Sequence, residues 1–165
     1  MRRLAAPGDF EAVYAIYMHA EVIPFLGFDP MPREDFKAVY EALLASQCFY
    51  VFEVAGRVQG FYKASRQEGR AAHVAYLATL AIAPHAKGGG LARVMIEDAI
   101  ARLRQEGVSR IELTVEVDNP RGIAFYKKLG FEHEGTLRAA YKRASDHDYV
   151  DQLFMALLLP LSRTD

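Results

Sequence analysis

The chain has 165 residues, of which 52% are hydrophobic and 25% charged, the composition of a globular protein long enough for one domain with a substantial core. Its 20 basic and 21 acidic side chains give a formal net charge of -1, which argues against a general nucleic-acid binder. One cysteine, Cys48, excludes an internal disulfide, and no apolar run approaches the roughly 20 residues of a membrane span, so we expect a single cytoplasmic domain over residues 1–165.

The first half of the chain predicts a short strand, two helices and a β-hairpin. Apolar residues recur at helical spacing in two segments, the first opened by Asp9 as a candidate N-cap, and a proline-containing loop separates them. Two apolar runs then flank the turn at residues 55–57. In chain order these elements cover residues 2–5, 9–22, 33–45, 48–54 and 58–65.

The second half alternates strands with helices. Asn119 and Pro120 are typical of a helix start, whereas Gly107 and Gly130 are typical of helix ends. Strand–helix–strand units require at least one parallel pairing, and the two hairpins require antiparallel ones. We therefore expect an α/β fold with a mixed, mostly antiparallel sheet of about seven strands and about four helices. The later elements cover residues 73–83, 91–107, 110–117, 119–130, 131–141 and 149–159.

Three consecutive glycines, Gly88, Gly89 and Gly90, join the strand at residues 73–83 to the helix at residues 91–107. Glycine weakens both kinds of element, so its use here needs a reason. The start of a helix has unpaired N–H groups and a positive dipole end, and glycine lets a ligand approach that backbone. The joint therefore predicts an anion site beside the cation of Lys87, with a flexible turn that binds nothing as the alternative.

Two blocks of sequence resemble the GNAT superfamily of N-acetyltransferases. Residues 87–92, "KGGGLA", are similar to its acyl-CoA signature through Gly90 and Ala92, with Lys87 in place of glutamine or arginine. Residues 117–135 resemble its second motif, and the order of elements fits the whole chain. Residues 110–135 and the closing segment at residues 149–159 further resemble a bacterial subgroup that acetylates free amino acids. The positions that match the second motif are Asn119, Tyr126, Gly130 and Phe131.

The resemblance implies acetyl-CoA as co-substrate and no metal. It places the coenzyme where the strand at residues 75–83 parts from the strand at residues 110–117. The pantetheine would pair with the backbone of Leu80, Ala81 and Ile82, and Asn119 and Tyr126 would also contact the coenzyme. The residues expected to meet the pyrophosphate are Lys87, Gly88, Gly89, Gly90, Leu91 and Ala92.

The resemblance also makes Tyr126 the general acid that protonates the leaving thiolate, with a core aromatic as the alternative. The base is less defined, because some relatives carry a glutamate where this chain has Thr114. Glu116 faces the same way on its strand and is the candidate base, with a solvated strand carboxylate as the alternative. His73 could relay a proton or lie on the surface.

The resemblance also implies that the acceptor lies near the loop between the first two helices. Phe25 and Phe28, with Leu26 and Met31, predict an apolar acceptor side chain, unless these residues only pin the loop to the core. Glu21 could bind an ammonium group or simply end the first helix.

The sequence thus predicts an acetyl-CoA-dependent N-acetyltransferase that acts on a primary amine by direct transfer in a ternary complex. An α-amino group of a free amino acid or peptide suits the site because its pKa is near 8. Acetylation of a protein N-terminus, a polyamine or an antibiotic amine stays open, as does a non-catalytic acyl-CoA-binding module. The expected partners are acetyl-CoA and a small amine, without nucleic acid or membrane, and a homodimer is left open.

Overall fold

The computed structural model describes residues 1–160, so the last five residues of the predicted domain lie outside the described part. In this part the chain forms seven strands and four α-helices, which confirms the predicted α/β fold. The strands are β1 (Arg2–Leu4), β2 (Phe49–Val54), β3 (Arg57–Arg66), β4 (Val74–Ile82), β5 (Arg110–Glu116), β6 (Glu132–Tyr141) and β7 (Val150–Leu158). The helices are α1 (Phe10–Tyr17), α2 (Arg33–Ala45), α3 (Leu91–Gln105) and α4 (Pro120–Lys128).

The strands follow the order β1-β2-β3-β4-β5-β7-β6. β4 pairs parallel with β5, as the strand–helix–strand pattern predicted. β2 pairs antiparallel with β1 and β3, and β7 pairs antiparallel with β5 and β6. The sheet is therefore mixed and mostly antiparallel, and the last strand of the chain lies between β5 and β6.

The chain divides into two compact units. The first unit contains residues 1–64 and 78–97, and the second contains residues 65–77 and those from Asp98 on. β4 contributes its first four residues to the second unit and the others to the first.

The core of the first unit is rich in aromatic rings. Tyr17 of α1 packs against Phe36 of α2 at 5.0 Å between ring centroids, and against Phe61 of β3 at 5.8 Å. α2 buries Phe36, Tyr40 and Leu43, the face that its helical spacing predicted. Aromatic packing between the two helices and the sheet thus fixes the loop that joins α1 to α2.

Helix α1 is shorter than its sequence pattern predicted, because it ends at Tyr17 rather than near residue 22. Asp9 occupies the N-cap position as predicted, but its side chain has other partners. Asp9 makes no side-chain cap bond to α1; its carboxylate accepts the Arg3 guanidinium at 2.6 and 2.7 Å and the Ala6 N–H at 2.8 Å. The Arg3 hydrogen bond holds the pKa of Asp9 below its ordinary value, so a stronger charged partner displaces the cap.

In the second unit β5 alternates as the sequence predicted, with Ile111, Leu113 and Val115 buried on one face. Most residues of the edge strand β6 are exposed. Within residues 1–160, no helix is long and apolar enough to cross a membrane.

Candidate active site

The first unit contains the glycine turn between β4 and α3. Gly88 and Gly90 have φ of 84° and 78°, the left-handed region that favours glycine. A Cβ atom at either position would meet nothing within 4 Å, so the backbone is open on that side. The three glycines are exposed. This geometry leaves room for a ligand to reach the main chain.

The N–H groups at the start of α3 are available to such a ligand. Lys87 donates its N–H to the Pro84 carbonyl at 3.1 Å, and the helical bonds begin with Val94 donating to the Gly90 carbonyl at 3.1 Å. The N–H groups of Leu91, Ala92 and Arg93 precede that bond and have no partner within the helix. Residues 87–92, called the amide turn below, can therefore bind an anion such as a phosphate.

Lys87 and Glu21, assigned to different ligands from the sequence, contact each other. The Lys87 Nζ atom lies 2.7 Å from the Glu21 carboxylate. The interpretation that Glu21 ends the first helix is wrong, since α1 ends at Tyr17 and Glu21 lies in the following turn. The charge beside the amide turn is thus shared with the loop expected to hold the acceptor.

The second half of β4 departs from regular strand geometry. The parallel register with β5 runs from Val74–Arg110 to Tyr76–Glu112, and Thr79 then has a φ of 50°. Leu80, Ala81 and Ile82 follow this irregular position, with Ala81 buried and its neighbours half-buried. The parting of this strand from β5 and the role of these three residues in pantetheine binding both stay predictions.

The loop between α1 and α2 contains residues that pack on the core and residues whose side chains lie partly outside it, as contact with an acceptor requires. Leu26 is buried and Met31 packs against the core, so these two pin the loop. Phe25 and Phe28 are 41% and 48% exposed, so much of each ring lies outside the core. Phe25 and Phe28 are therefore the residues that remain candidates for acceptor contact.

The second unit contains two pairs of hydrogen-bonded polar side chains, and each pair includes a residue of β5. Thr114 and Glu116 share one face of β5, and the Tyr76 hydroxyl lies 2.8 Å from Thr114 Oγ1. Glu116 accepts a hydrogen bond from Gln152 Nε2 at 3.1 Å. Sequence reasoning missed Tyr76; the signal was the parallel pairing of the strands at residues 73–83 and 110–117, which brings Tyr76 beside this face.

Glu116 is buried, with 6% of its surface exposed, so the interpretation of a solvated strand carboxylate is wrong. Burial raises the pKa of Glu116 above its ordinary value, and the Gln152 hydrogen bond offsets part of that rise. The neighbouring Glu112 is instead held by Arg110 at 2.6 Å. Glu116 is therefore the buried acid of this face, and its charged form is destabilised, as suits a proton acceptor.

Tyr126 lies on α4, whose two ends are both capped as the sequence predicted. Asn119 Oδ1 accepts the Gly122 N–H at 2.9 Å at the start of the helix. At its end Gly130 has a φ of 91°, and Phe131 donates its N–H to the Tyr126 carbonyl at 3.1 Å. The Phe131 ring also packs edge-on against the Tyr126 ring, with centroids 5.7 Å apart. The Gly-Phe pair of the second motif is thus a Schellman cap that fixes Tyr126.

The Tyr126 phenol is a proton donor at neutral pH. Burial raises the pKa of Tyr126 well above its ordinary value, and the nearby Glu116 and Tyr76 raise it further. The two alternatives for Tyr126 are not exclusive, because its ring packs at the helix end while its hydroxyl stays protonated.

The remaining candidates have simpler roles. The His73 side chain is exposed, and its carbonyl accepts the N–H groups of Ser109 and Arg110, which favours the surface alternative. The Asn119 oxygen is occupied by its cap, and its contact with the coenzyme stays a prediction. Within residues 1–160, no group of three or more His, Cys, Asp or Glu side chains is placed to hold a metal ion.

The comparisons with known proteins define first a class and then a family. The fold is that of solved acetyltransferases: a ribosomal-protein-alanine N-acetyltransferase from Brucella melitensis superposes with a TM-score of 0.77 at 26% identity, over 96% of this chain and 99% of that one. An acetyltransferase from Salmonella typhimurium, solved with acetyl-CoA, gives 0.75 at 22% identity, over 100% and 96%. The family model "Acetyltransferase (GNAT) family" matches residues 10–131, and the chain belongs to this family.

One curated relative is considerably longer than this chain. The mycothiol acetyltransferase of Saccharomonospora viridis is 36% identical over 146 residues, which cover 79% of this chain but 45% of that protein. The chain thus spans about half the length of the curated relative that it matches.

Proposed function

We propose that the chain is an acetyl-CoA-dependent N-acetyltransferase that moves the acetyl group to a primary amine by direct transfer in a ternary complex. The observation that carries the proposal is the Tyr126 ring, fixed by a helix cap, whose phenol is protonated at neutral pH and interacts electrostatically with the buried Glu116 carboxyl. An acid and a base of this kind are what acyl transfer from a thioester to an amine requires. Membership of the GNAT family supports the same reaction.

The coenzyme site is proposed in the first unit. The N–H groups of the amide turn other than that of Lys87 bind the pyrophosphate, with the Lys87 ammonium as an added charge. The backbone of Leu80–Ile82 pairs with the pantetheine amides. The open space around Gly88 and Gly90 supports this role, since a phosphate can reach the main chain there.

The proposed chemistry forms one bond and breaks one. The amine nitrogen attacks the thioester carbonyl carbon, the C–N bond forms, and the C–S bond breaks. The leaving sulfur takes the Tyr126 proton, and the nitrogen gives up one proton to Glu116. Return of that proton to the tyrosinate restores both groups, and the products are an acetylated amine and free CoA thiol.

The proposed acceptor is an α-amino group on a molecule with an apolar side chain. The α-amine of a peptide N-terminus has a pKa near 8 and is partly neutral at cellular pH, so it needs little help from a base. The exposed rings of Phe25 and Phe28 offer an apolar contact. The Brucella melitensis neighbour, named for a ribosomal-protein alanine, supports an acceptor of this kind.

A screen with acetyl-CoA and a pool of free amino acids and short peptides tests the proposal. Release of CoA thiol should accompany new products heavier by one acetyl group, found by mass spectrometry on α-amines. Acetyl-CoA binding in calorimetry without thiol release would instead identify a non-catalytic acyl-CoA-binding module. Products formed only from spermidine or aminoglycosides would keep the enzyme class and overturn the acceptor.

A further inference from the structure

The hydroxyls of Tyr76 and Thr114 form a pair that the proposed reaction does not yet use. They lie 2.8 Å apart, and both residues are half-buried. Tyr76 is in register with Glu112, and Thr114 lies two residues further along β5 on the same face. On β7, the residue opposite Thr114 is Phe154, which has no charge.

We propose that this hydroxyl pair binds the acceptor amine in its neutral form, with Thr114 Oγ1 accepting an amine N–H and Tyr76 as the residue that positions Thr114. The inference rests on the proposed function and names the acceptor more closely: a primary amine of low basicity. Either hydroxyl can donate within the pair, and in both cases Thr114 Oγ1 keeps a lone pair for the amine. The nitrogen lone pair stays free to attack the thioester.

The charge around the pair supports a neutral amine. The Glu112 carboxylate is paired with the Arg110 guanidinium, which also pairs with Glu134. Glu116 is buried beside Gln152, and Asp118 and Arg143 are the charged groups that act on it. Two neutral hydroxyls attract an ammonium ion far less than a carboxylate does, so this pair does not by itself concentrate the charged form of the amine.

A site that binds neutral amines selects among acceptors by the pKa of their amine. At about pH 7.5 roughly a third of an α-amine is neutral, against about one in a thousand for a lysine side chain. A site that binds only neutral amine therefore favours α-amines over lysine by about two orders of magnitude before any side chain is recognised.

The test compares two forms of one peptide, one with a free α-amine and one with a blocked α-amine and a free lysine. For the wild type, kcat/KM for the α-amine should rise with pH to the amine pKa near 8 and then stay level to about pH 9.5. A decline above the amine pKa would mean that the ammonium form binds, and would overturn the inference. The protonated Tyr126 does not limit this range, because burial raises its pKa.

Variants separate binding from packing. Thr114→Val keeps the shape and removes the hydroxyl, so kcat/KM for the amine should fall about tenfold, while Thr114→Ser should restore most of it. Tyr76→Phe should lower kcat/KM for the amine by a similar factor, with the KM for acetyl-CoA and the melting temperature nearly unchanged. Tyr149→Phe, which removes the phenol of an exposed tyrosine, is the matched control and should behave as wild type.

The outcomes distinguish this inference from the proposed function. Wild-type turnover with unchanged kcat/KM in Thr114→Val and Tyr76→Phe would leave the acetyltransferase standing and reject the hydroxyl pair. Absence of wild-type turnover with every amine would reject both. Thr114→Glu adds a carboxylate, and a fall of about tenfold in the preference for the α-amine over lysine would support the inference further.

Discussion

At the scale of single residues, Tyr126 is the most direct test of the chemistry. Tyr126→Phe removes only the donor and keeps the ring that packs on Phe131, so the helix end should survive. We expect kcat to fall roughly 100-fold or more, with little change in the KM for acetyl-CoA, as for an interaction made mainly in the transition state. Steady-state kinetics and a thermal melt on one preparation measure both effects. A nearly unchanged kcat would show that water or another group protonates the thiolate.

Glu116 predicts opposite effects on stability and activity. Because its pKa is raised in the folded protein, its contribution to stability is largest below the pKa of the unfolded chain and is lost as pH rises through the native pKa. Glu116→Gln keeps an acceptor for Gln152 and removes the buried charge. The melting temperature of the variant should therefore exceed that of the wild type more at about pH 8 than at about pH 5.

The same variant should lose activity if Glu116 accepts the amine proton, and kcat in the wild type should fall as pH decreases through the raised Glu116 pKa. A Glu116→Gln protein that is no more stable at about pH 8 would contradict the buried charge. A fully active one would remove Glu116 from the mechanism.

The sequence predicted some of these residues better than others, for physical reasons. Asn119 and Gly130 were predictable because helix caps depend on neighbours within a few residues. The burial of Glu116 was not, because strand alternation placed it on the polar face and its partner Gln152 lies 36 residues away. The Lys87–Glu21 pair joins residues 66 apart, and no local pattern signals it.

At the scale of elements, the two ends of α3 provide a matched pair of glycines. Gly90 and Gly107 both have positive φ, 78° and 83°, and a Cβ at either would meet nothing within 4 Å. Substitution by Val should strain both ends. Only Gly90→Val should weaken acetyl-CoA binding, by at least about tenfold or 1.4 kcal/mol, because it obstructs the amide turn.

Calorimetry with acetyl-CoA on both variants checks this prediction, and circular dichroism confirms that each is folded. Equal affinities of the Gly90 and Gly107 variants for acetyl-CoA would show that the amide turn does not bind the pyrophosphate.

Breaking the Lys87–Glu21 ion pair should change acetyl-CoA affinity less than Gly90→Val does, and in the opposite direction. Glu21→Gln releases the Lys87 ammonium, so acetyl-CoA should bind more tightly, by at most about fivefold for an exposed pair. Lys87→Ala should weaken binding less than Gly90→Val, since the N–H groups remain. In a Lys87→Ala background Glu21→Gln should have no effect, and the gain should shrink at high salt. Tighter binding that persists without Lys87 would show that the pair is not its cause.

The bounds of an element were also predictable where they depend on its own sequence pattern, and less so where they depend on contacts that the pattern does not show. α2 matches its predicted bounds at residues 33–45, because its periodic face packs into the core. α1 falls short of its predicted end, since Val22 and Ile23 donate their N–H groups to the His19 carbonyl and the chain turns there. The place of β7 between β5 and β6 depends on long-range pairing that hydrophobic alternation does not encode.

At the scale of the whole molecule, the preferred acceptor should have a side chain that suits the apolar loop between α1 and α2. Free amino acids with large apolar side chains should be acetylated faster than lysine, spermidine or an aminoglycoside, because the exposed Phe25 and Phe28 rings offer apolar contact. A competition assay with mass-spectrometric detection ranks them. Phe28→Ala should reduce the preference, and a clear preference for polyamines would overturn the acceptor assignment.

The central claim is that this chain transfers an acetyl group from acetyl-CoA to an amine. The most direct measurement follows CoA thiol release and acetylated product together, in the presence of an apolar amino acid and with Tyr126→Phe alongside. We expect one thiol released for each acetylated α-amine, almost no release without amine, and a rate roughly 100-fold lower in the variant. Thiol release that does not depend on amine, or binding of acetyl-CoA with no product, would contradict it.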